Sequence, residues 1–262
     1  ALARMPDFRV TFVSQKSGDD GSGIRRVAYR LQGGATAQTH YSARTFENAV
    51  WHASGVYDAL KPLADELRPD LIVGHSGFGS TLFLPELFPD TPILNYFEYF
   101  YHPSGGDMDF RKEWAVAEED RLRSRARNGM ILLDLENCSR GYTPTYFQHS
   151  LFPERYRRKL RVIHDGIDTQ FWKPPGKGER RLGGQLIPAE TPLVTYVSRG
   201  FEAMRGFDIF MRAAKLIYQS NPDVRFLVIG ADEAAYGGDR KQISAASFRH
   251  HVLGEDDYDL SS

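Results

Sequence analysis

Two arginines stand where a run of strand-forming residues gives way to a helical pattern, and their type and position point at phosphate. Leu193, Val194, Tyr196 and Val197 are the apolar, β-branched and aromatic residues that a buried parallel strand takes. From Phe207 the apolar residues recur at helical spacing through Phe210, Met211, Ala214 and Ile217, so the pattern predicts a helix ending near Ser220, before Asn221-Pro222. Arg199-Gly200 and Arg205-Gly206 lie between the two. The carboxyl end of a parallel strand beside a helix N-terminus is where open α/β sheets take anionic ligands, and a planar guanidinium can bond two oxygens of a diphosphate together. Solvated loop charges are the plainer alternative.

A second set of candidates lies upstream. Residues 71–73 form an apolar run that leads into Gly74-His75-Ser76-Gly77-Phe78-Gly79, a strand end followed by small residues, where Gly77 and Gly79 would let a ligand approach the backbone. His75 is either a proton carrier facing that ligand or a histidine satisfied within the fold. Residues 92–102 (PILNYFEYFYH) predict a strand whose tail crowds Tyr96, Phe97, Tyr99, Phe100 and Tyr101 around Glu98. A carboxylate among aromatics must be hydrogen-bonded, paired, protonated or turned to a polar cleft, so structural pairing and catalysis both stay open for Glu98. Asp107-Met108-Asp109 could chelate a metal, but Pro103 and Gly105-Gly106 precede it instead of an apolar strand. Capping a helix that starts near Glu113 is the simpler reading, and no metal site is expected. A strand over 223–230 ends in Gly230-Ala231-Asp232, followed by Tyr236-Gly237-Gly238, a further contact point for phosphate or ribose.

These residues need elements to hold them. FRVTFV at 8–13 and residues 26–29 predict short strands around a polar, glycine-rich loop, whose Asp-Asp-Gly lacks the alternating oxygens and closing glutamate of a calcium loop. Residues 43–67 set Phe46, Val50, Ala53, Val56, Leu60 and Leu63 on one stripe, an amphipathic helix that Pro62 kinks or divides. Residues 113–137 predict a second helix, and Thr143-Pro144 starts a short third one. Arg155, Arg157, Arg158, Lys159 and Arg161 then form a basic cluster, and residues 160–163 a strand that runs into His164-Asp165-Gly166-Ile167-Asp168. Pro, Gly and charge crowd residues 174–192 as in an interdomain linker, which divides the chain into domains 1–173 and 193–262.

Composition agrees with that division. A length of 262 residues suits about two domains, and 41% hydrophobic residues supply cores for both. A net charge of -1 argues against a nucleic-acid binder. The single cysteine, Cys138, excludes an intrachain disulfide and a Cys-rich zinc site, and is expected as a small buried side chain. No apolar run approaches the roughly 18 residues of a spanning helix and no signal-peptide pattern opens the sequence, so the expected location is cytoplasmic. The basic cluster leaves open a peripheral contact with the inner membrane face, a solvated surface being its default.

Three stretches together resemble a retaining glycosyltransferase of family 4 with the two-domain GT-B architecture. VIHDGID at 162–168 resembles the family's interdomain pattern V-I-P-N-G-V/I-D. VSRGFEAMRGFDIFMRA at 197–213 resembles its donor-diphosphate segment, Gly-Arg and then Lys-Gly, with Ser198 in place of the glycine and Arg205 in place of the lysine. Residues 69–101 are similar to the bacterial subgroup described as the glycosyltransferase family 4 group domain, in which a glutamate stands where many relatives carry histidine. The likeness covers nearly the whole chain. Members normally begin with a strand and a glycine-rich loop, and carry two glutamates seven residues apart further into the second domain. Neither pattern is present, Glu255 having no such partner, so the expectation is a fragment whose second lobe is incomplete.

The resemblance implies an α/β chain of two Rossmann-like lobes, the first facing an acceptor and the second holding a nucleotide sugar, UDP- or GDP-linked, as co-substrate without another cofactor. Arg199, Gly200, Arg205 and Gly206 would hold the diphosphate, with Gly230 and Asp232 at the same sheet edge. Glu98 and His75 would act on the acceptor hydroxyl or the developing sugar cation. Gly77, Gly79, Gly166 and Asp168 would line the cleft between lobes, onto which His75, Glu98, Arg199 and Arg205 should all open. The implied product is a polysaccharide or glycoconjugate, from a glycan or lipid-linked acceptor. Three other readings compete: a metal-dependent glycosyltransferase using Asp107 and Asp109, a nucleotide-sugar epimerase, and a nucleotide-sugar binding module without catalysis.

Overall fold

The strand-forming runs fold as parallel strands, and most of the predicted helices form close to where the apolar periodicity puts them. A computed structural model describes residues 3, 5–16, 18, 23–173, 180–234, 238–255 and 258. The chain is mixed α/β and divides into two units, Ala1–Ile167 and Asp168–Ser262.

In the first unit β1 (Thr11–Ser14) and β2 (Arg25–Ala28) pair in parallel. Helix α1 (Arg44–Leu60) buries Ala53, Val56 and Leu60 of the expected stripe, with Ala49 beside them, while Phe46 and Val50 are only partly buried. Pro62 has no N–H to continue it, so a 3-10 turn over Lys61–Leu63 intervenes before the single turn α2 (Ala64–Leu67). Four parallel strands follow in sequential order: β3 (Ile72–His75), β4 (Ile93–Tyr96), β5 (Arg140–Thr143) and β6 (Leu160–Val162). The long helix α3 (Glu118–Asn137) links β4 to β5, and the short α4 (Tyr146–Leu151) and α5 (Glu154–Arg157) link β5 to β6. Alternation along β4 and β5 turns Ile93, Asn95, Gly141 and Thr143 inward. Ile93 joins Phe97, Ile131, Leu135, Cys138, Phe152 and Leu160 in the core.

Three departures from the sequence reading have local causes. The predicted strand over 92–102 stops at Tyr96, because Tyr101 takes its backbone bonds from a side chain instead of a strand: its N–H donates to Asn128 Oδ1 at 2.9 Å and its carbonyl accepts from Asn128 Nδ2 at 2.8 Å. The second helix begins at Glu118, not Glu113, and residues 103–114 are turns and bends. Strand β5 is read from no apolar run; Gly141 is needed there because a Cβ would stand 2.5 Å from the Phe97 ring.

In the second unit β9 (Leu193–Gly200) pairs in parallel with β10 (Arg225–Ala231), and α6 (Phe207–Ser220) connects them. Within the expected linker, β7 (Arg180–Leu182) and β8 (Gln185–Ile187) make an antiparallel hairpin. Gly183 and Gly184 close it with φ of 54° and 84°, the left-handed pair that a two-residue hairpin turn requires. Helix α7 (Phe248–Glu255) follows, with Phe248 and Val252 buried. Tyr236 and Gly237 lie outside the described residues, as does the start of the expected linker, 174–179. Among the described residues no helix is long and apolar enough to cross a membrane.

Candidate active site

His75 ends β3 and Tyr96 ends β4, and the register pairs the two residues, so their side chains rise from the same face at the carboxyl edge of the sheet. Glu98 follows two residues beyond β4. His75 Nε2 lies 3.4 Å from Glu98 Oε2, with 43% and 58% of the two side chains exposed. A proton carrier and a carboxylate therefore face each other where solvent or a ligand can reach both. The His75 ring meets Phe78 and Tyr96 edge-on, each at 5.0 Å between centroids, and Tyr96 meets Tyr142 at 5.0 Å. The Tyr96 hydroxyl donates to Asp165 Oδ2 at 3.3 Å. Burial first, and then the negative charges of Asp165 and Glu98, push the Tyr96 phenol up to about 12.

The turn after β3 is pinned from three sides. Ser76 N–H donates to the Tyr96 carbonyl at 2.9 Å, and Ser80 Oγ donates to the His75 carbonyl at 3.0 Å. From α3, Asp134 reaches into the turn: its Oδ2 accepts from Ser76 Oγ at 2.9 Å and from Gly77 N–H at 2.8 Å. Asp134 is 1% exposed, and burial raises its pKa against the lowering effect of the bonds from Gly77 and Ser76. Gly77 and Gly79 have φ of 89° and 76°, which favours glycine at both. A Cβ on Gly79 would sit 1.9 Å from the Ala49 carbonyl oxygen, so the space it leaves is taken by α1.

A cavity of about 260 Å³ opens beside this turn. His75, Gly77 and Glu98 line it, as do Tyr99 and Tyr101 from the tail of β4, Thr45, Asn48 and His52 from α1, and Arg127 from α3. The Arg127 guanidinium stacks 3.7 Å from the centre of the Tyr101 ring and donates to its hydroxyl at 2.7 Å. His52 Nδ1 lies 2.8 Å from the Tyr29 hydroxyl, and Asn48 Oδ1 accepts from Ala35 N–H at 2.7 Å.

Asp107 and Asp109 have different surroundings. Asp109 accepts from the N–H groups of Gly105 and Gly106 at 2.9 to 3.2 Å, which hold its carboxyl below the usual range. Asp107 is half-buried, and burial raises its pKa while Arg127 lowers it. Asp109 thus stabilises a glycine turn and caps no helix. In the basic cluster, Arg157 donates to the carbonyls of Phe152 and Ser150, and Lys159 to those of Leu135 and Glu136 at the end of α3. Those two cations are structural. Gly166, with φ of 77°, donates its N–H to His164 Nδ1 at 3.0 Å.

The second unit carries the other candidates. Asp168, its first residue, accepts from the N–H groups of Gln170 and Phe171 and closes a turn. Arg199 is exposed near the end of β9, and Gly200 is buried as its last residue. Arg205 is exposed at the end of a 3-10 turn, its Nε 3.6 Å from Glu202 Oε1. Gly206, with φ of 71°, is the N-cap of α6 and has nothing within 4 Å of where a Cβ would be. The turn is tied down by Asp239, 2% exposed, whose Oδ2 accepts from Ala203 N–H at 2.9 Å. Gly230 admits the Phe201 ring, which a Cβ would meet at 2.7 Å, and Asp232 lies 3.5 Å from Arg249 and 3.6 Å from His250.

Sequence reasoning missed Asp134, Asp165, His52, Asn48 and Arg127. Asp134 stands in the apolar MILLDL, where a lone carboxylate is itself a signal of a buried partner. His52 and Asn48 lie four residues apart on α1, within reach of a helix-face reading; Arg127 sits in a charged run and carries no distinguishing mark.

The sequence model described as the glycosyl transferase family 4 group matches residues 6–172, well over half of the 262-residue chain. No curated protein matches significantly. Among solved structures, the crystal structure of TarM is similar with a TM-score of 0.44 and 11% identity, over 80% of this chain and 34% of that one. The chain thus spans about a third of that protein's length.

Proposed function

The chain belongs to the glycosyl transferase family 4 group, and from that premise we propose that the enzyme it represents moves a hexosyl unit from a UDP- or GDP-linked sugar to a glycan or lipid-linked acceptor, with retention of configuration. The observation that carries the reading is the His75–Glu98 pair at the carboxyl edge of a parallel sheet, beside a cavity. Departure of the nucleoside diphosphate leaves an oxocarbenium-like sugar and a growing negative charge, and both need stabilisation. Glu98 assists the acceptor hydroxyl or the developing cation, and His75 exchanges the proton with it.

Arg199 and Arg205, with the backbone near Gly200 and Gly206, hold the departing diphosphate. Both residues are exposed, Arg199 near the carboxyl end of β9 and Arg205 just before the α6 N-terminus, which supports that role. Gly230 and Asp232, at the carboxyl end of β10, are the further proposed donor contacts. Labelled UDP- and GDP-sugars, offered with a panel of glycan and lipid-linked acceptors, test the proposal. A glycosylated product with the donor's anomeric configuration, read by NMR, is the expected result. An inverted product would overturn retention, and donor consumed only to its epimer would replace transfer by epimerisation.

A further inference from the structure

Helix α1 presents Thr45, Asn48, Ala49 and His52 to the cavity, spacings of three and four residues that put them on one face. Nothing in the glycosyl-transfer reading uses that face. We infer that the cavity takes one pyranose ring of a neutral sugar acceptor, and that His52, held by Tyr29, binds a hydroxyl of that ring. The inference rests on the proposed transfer reaction and names the acceptor class for the same site.

Size, wall chemistry and charge each bear on the occupant. A volume of about 260 Å³ lies just under the roughly 300 Å³ at which pockets for drug-sized ligands begin, which suits one ring and not a chain of them. Tyr99, Tyr101 and Phe78 offer ring surface, while Asn48, His52 and Thr45 offer hydrogen bonds. A pyranose has the same division, with C–H faces and a hydroxyl rim. The lining holds one fixed cation, Arg127, and one carboxylate, Glu98. Arg127 already spends a donor on the Tyr101 hydroxyl and feels the charge of Asp107, so the site lacks the surplus of cationic donors that a phosphate demands.

His52 is fitted for a hydroxyl. Its Nδ1 is 2.8 Å from the Tyr29 hydroxyl, which fixes the ring and leaves Nε2 as its second hydrogen-bonding atom. Either tautomer serves, since a sugar hydroxyl both donates and accepts. Asn48 is oriented in the same way, its Oδ1 committed to Ala35 N–H and its amide hydrogens left as donors.

Binding of methyl α- and β-pyranosides of gluco, galacto and manno configuration to the full chain, followed by NMR and calorimetry, tests the inference, with inorganic phosphate as the competing probe. At least one glycoside should bind, His52→Ala should weaken it by about tenfold, and Tyr29→Phe by a smaller factor with the fold intact. Failure of every glycoside to bind, binding unchanged in His52→Ala, or displacement of the glycoside by phosphate would overturn it. If His52→Ala does not fold, Tyr29→Phe decides alone, and unchanged affinity there counts against the inference. Consumption of nucleotide sugars is measured separately: a chain that consumes them but ignores glycosides has lost only this acceptor site. One that binds glycosides through His52 and consumes no nucleotide sugar has lost the transfer reading.

Discussion

The turn after β3 and the turn after β9 are anchored in the same way and present opposite chemistry. In each, a buried aspartate from later in the chain accepts a backbone N–H of the turn: Asp134 from Gly77, 57 residues away, and Asp239 from Ala203, 36 residues away. The first turn follows His75, which faces Glu98, a pair that can exchange a proton. The second is entered from Arg199, near the end of β9, and carries Arg205. A common backbone device thus holds a turn beside an imidazole–carboxylate pair in one unit and beside two guanidinium groups in the other. What distinguishes the two turns chemically is the side chains they hold, more than the path of the chain.

Kinetics should separate the turns most strongly. Glu98→Gln keeps the shape and removes the charge, so in the active enzyme it should lower turnover by about a hundredfold or more, while nucleoside diphosphate affinity stays within a few-fold. Arg199→Ala or Arg205→Ala should instead weaken nucleoside diphosphate binding by roughly tenfold to a hundredfold, as measured by calorimetric titration. Unchanged affinity in both arginine variants would remove the donor site, and unchanged turnover in Glu98→Gln would return Glu98 to a structural role.

Stability should separate them next, through the glycines. Gly79→Ala combines a left-handed φ with a collision against the Ala49 carbonyl and should cost about 3 to 5 kcal/mol. Gly206→Ala has the φ penalty without a collision and should cost about 1 to 2 kcal/mol. Denaturant melts of the two variants give the comparison directly; equal losses would show that the first turn is no more tightly packed than the second.

A smaller, pH-dependent effect concerns the anchor in the first unit. Asp134 has a folded pKa raised above its ordinary 3.8, chiefly by burial. Between 3.8 and that raised value the folded state holds more protons than the unfolded one, so stability from this group falls as pH rises through the window. Asp134→Asn lacks the titration. The stability difference between wild type and Asp134→Asn, followed by thermal melts from acid to neutral pH, should therefore shift against wild type as pH rises; a shift the other way would mean that the bonds from Gly77 and Ser76 outweigh burial.

What the sequence disclosed, and what it withheld, follows the range of the interactions. The apolar stripe of α1 and the strand-to-helix change at Phe207 are local patterns, and both elements form there. The strand-end placement of His75 and the cluster around Glu98 were legible for the same reason. Asp134 was not, because its partners are 57 and 58 residues away and a helix leaves no local trace of them. Asn128 stands in for a strand at Tyr101, so the aromatic run over 97–102 looks like a strand and is none. The hairpin over 180–187 was hidden by its own turn, since Gly183-Gly184 in a charged, proline-bordered stretch reads equally well as a linker.

Cys138 sits at the junction of α3 and β5, only 2% exposed and with burial pushing its thiol up. It is the one sulfhydryl in 262 residues, so a thiol reagent has a single place to react and must wait for that junction to open. The labelling rate becomes a stopwatch for excursions of the core, read without introducing a probe. Because α3 also carries Asp134, the same clock, run with and without a bound glycoside, reports whether occupying the cavity slows the breathing of the helix that anchors the His75 turn.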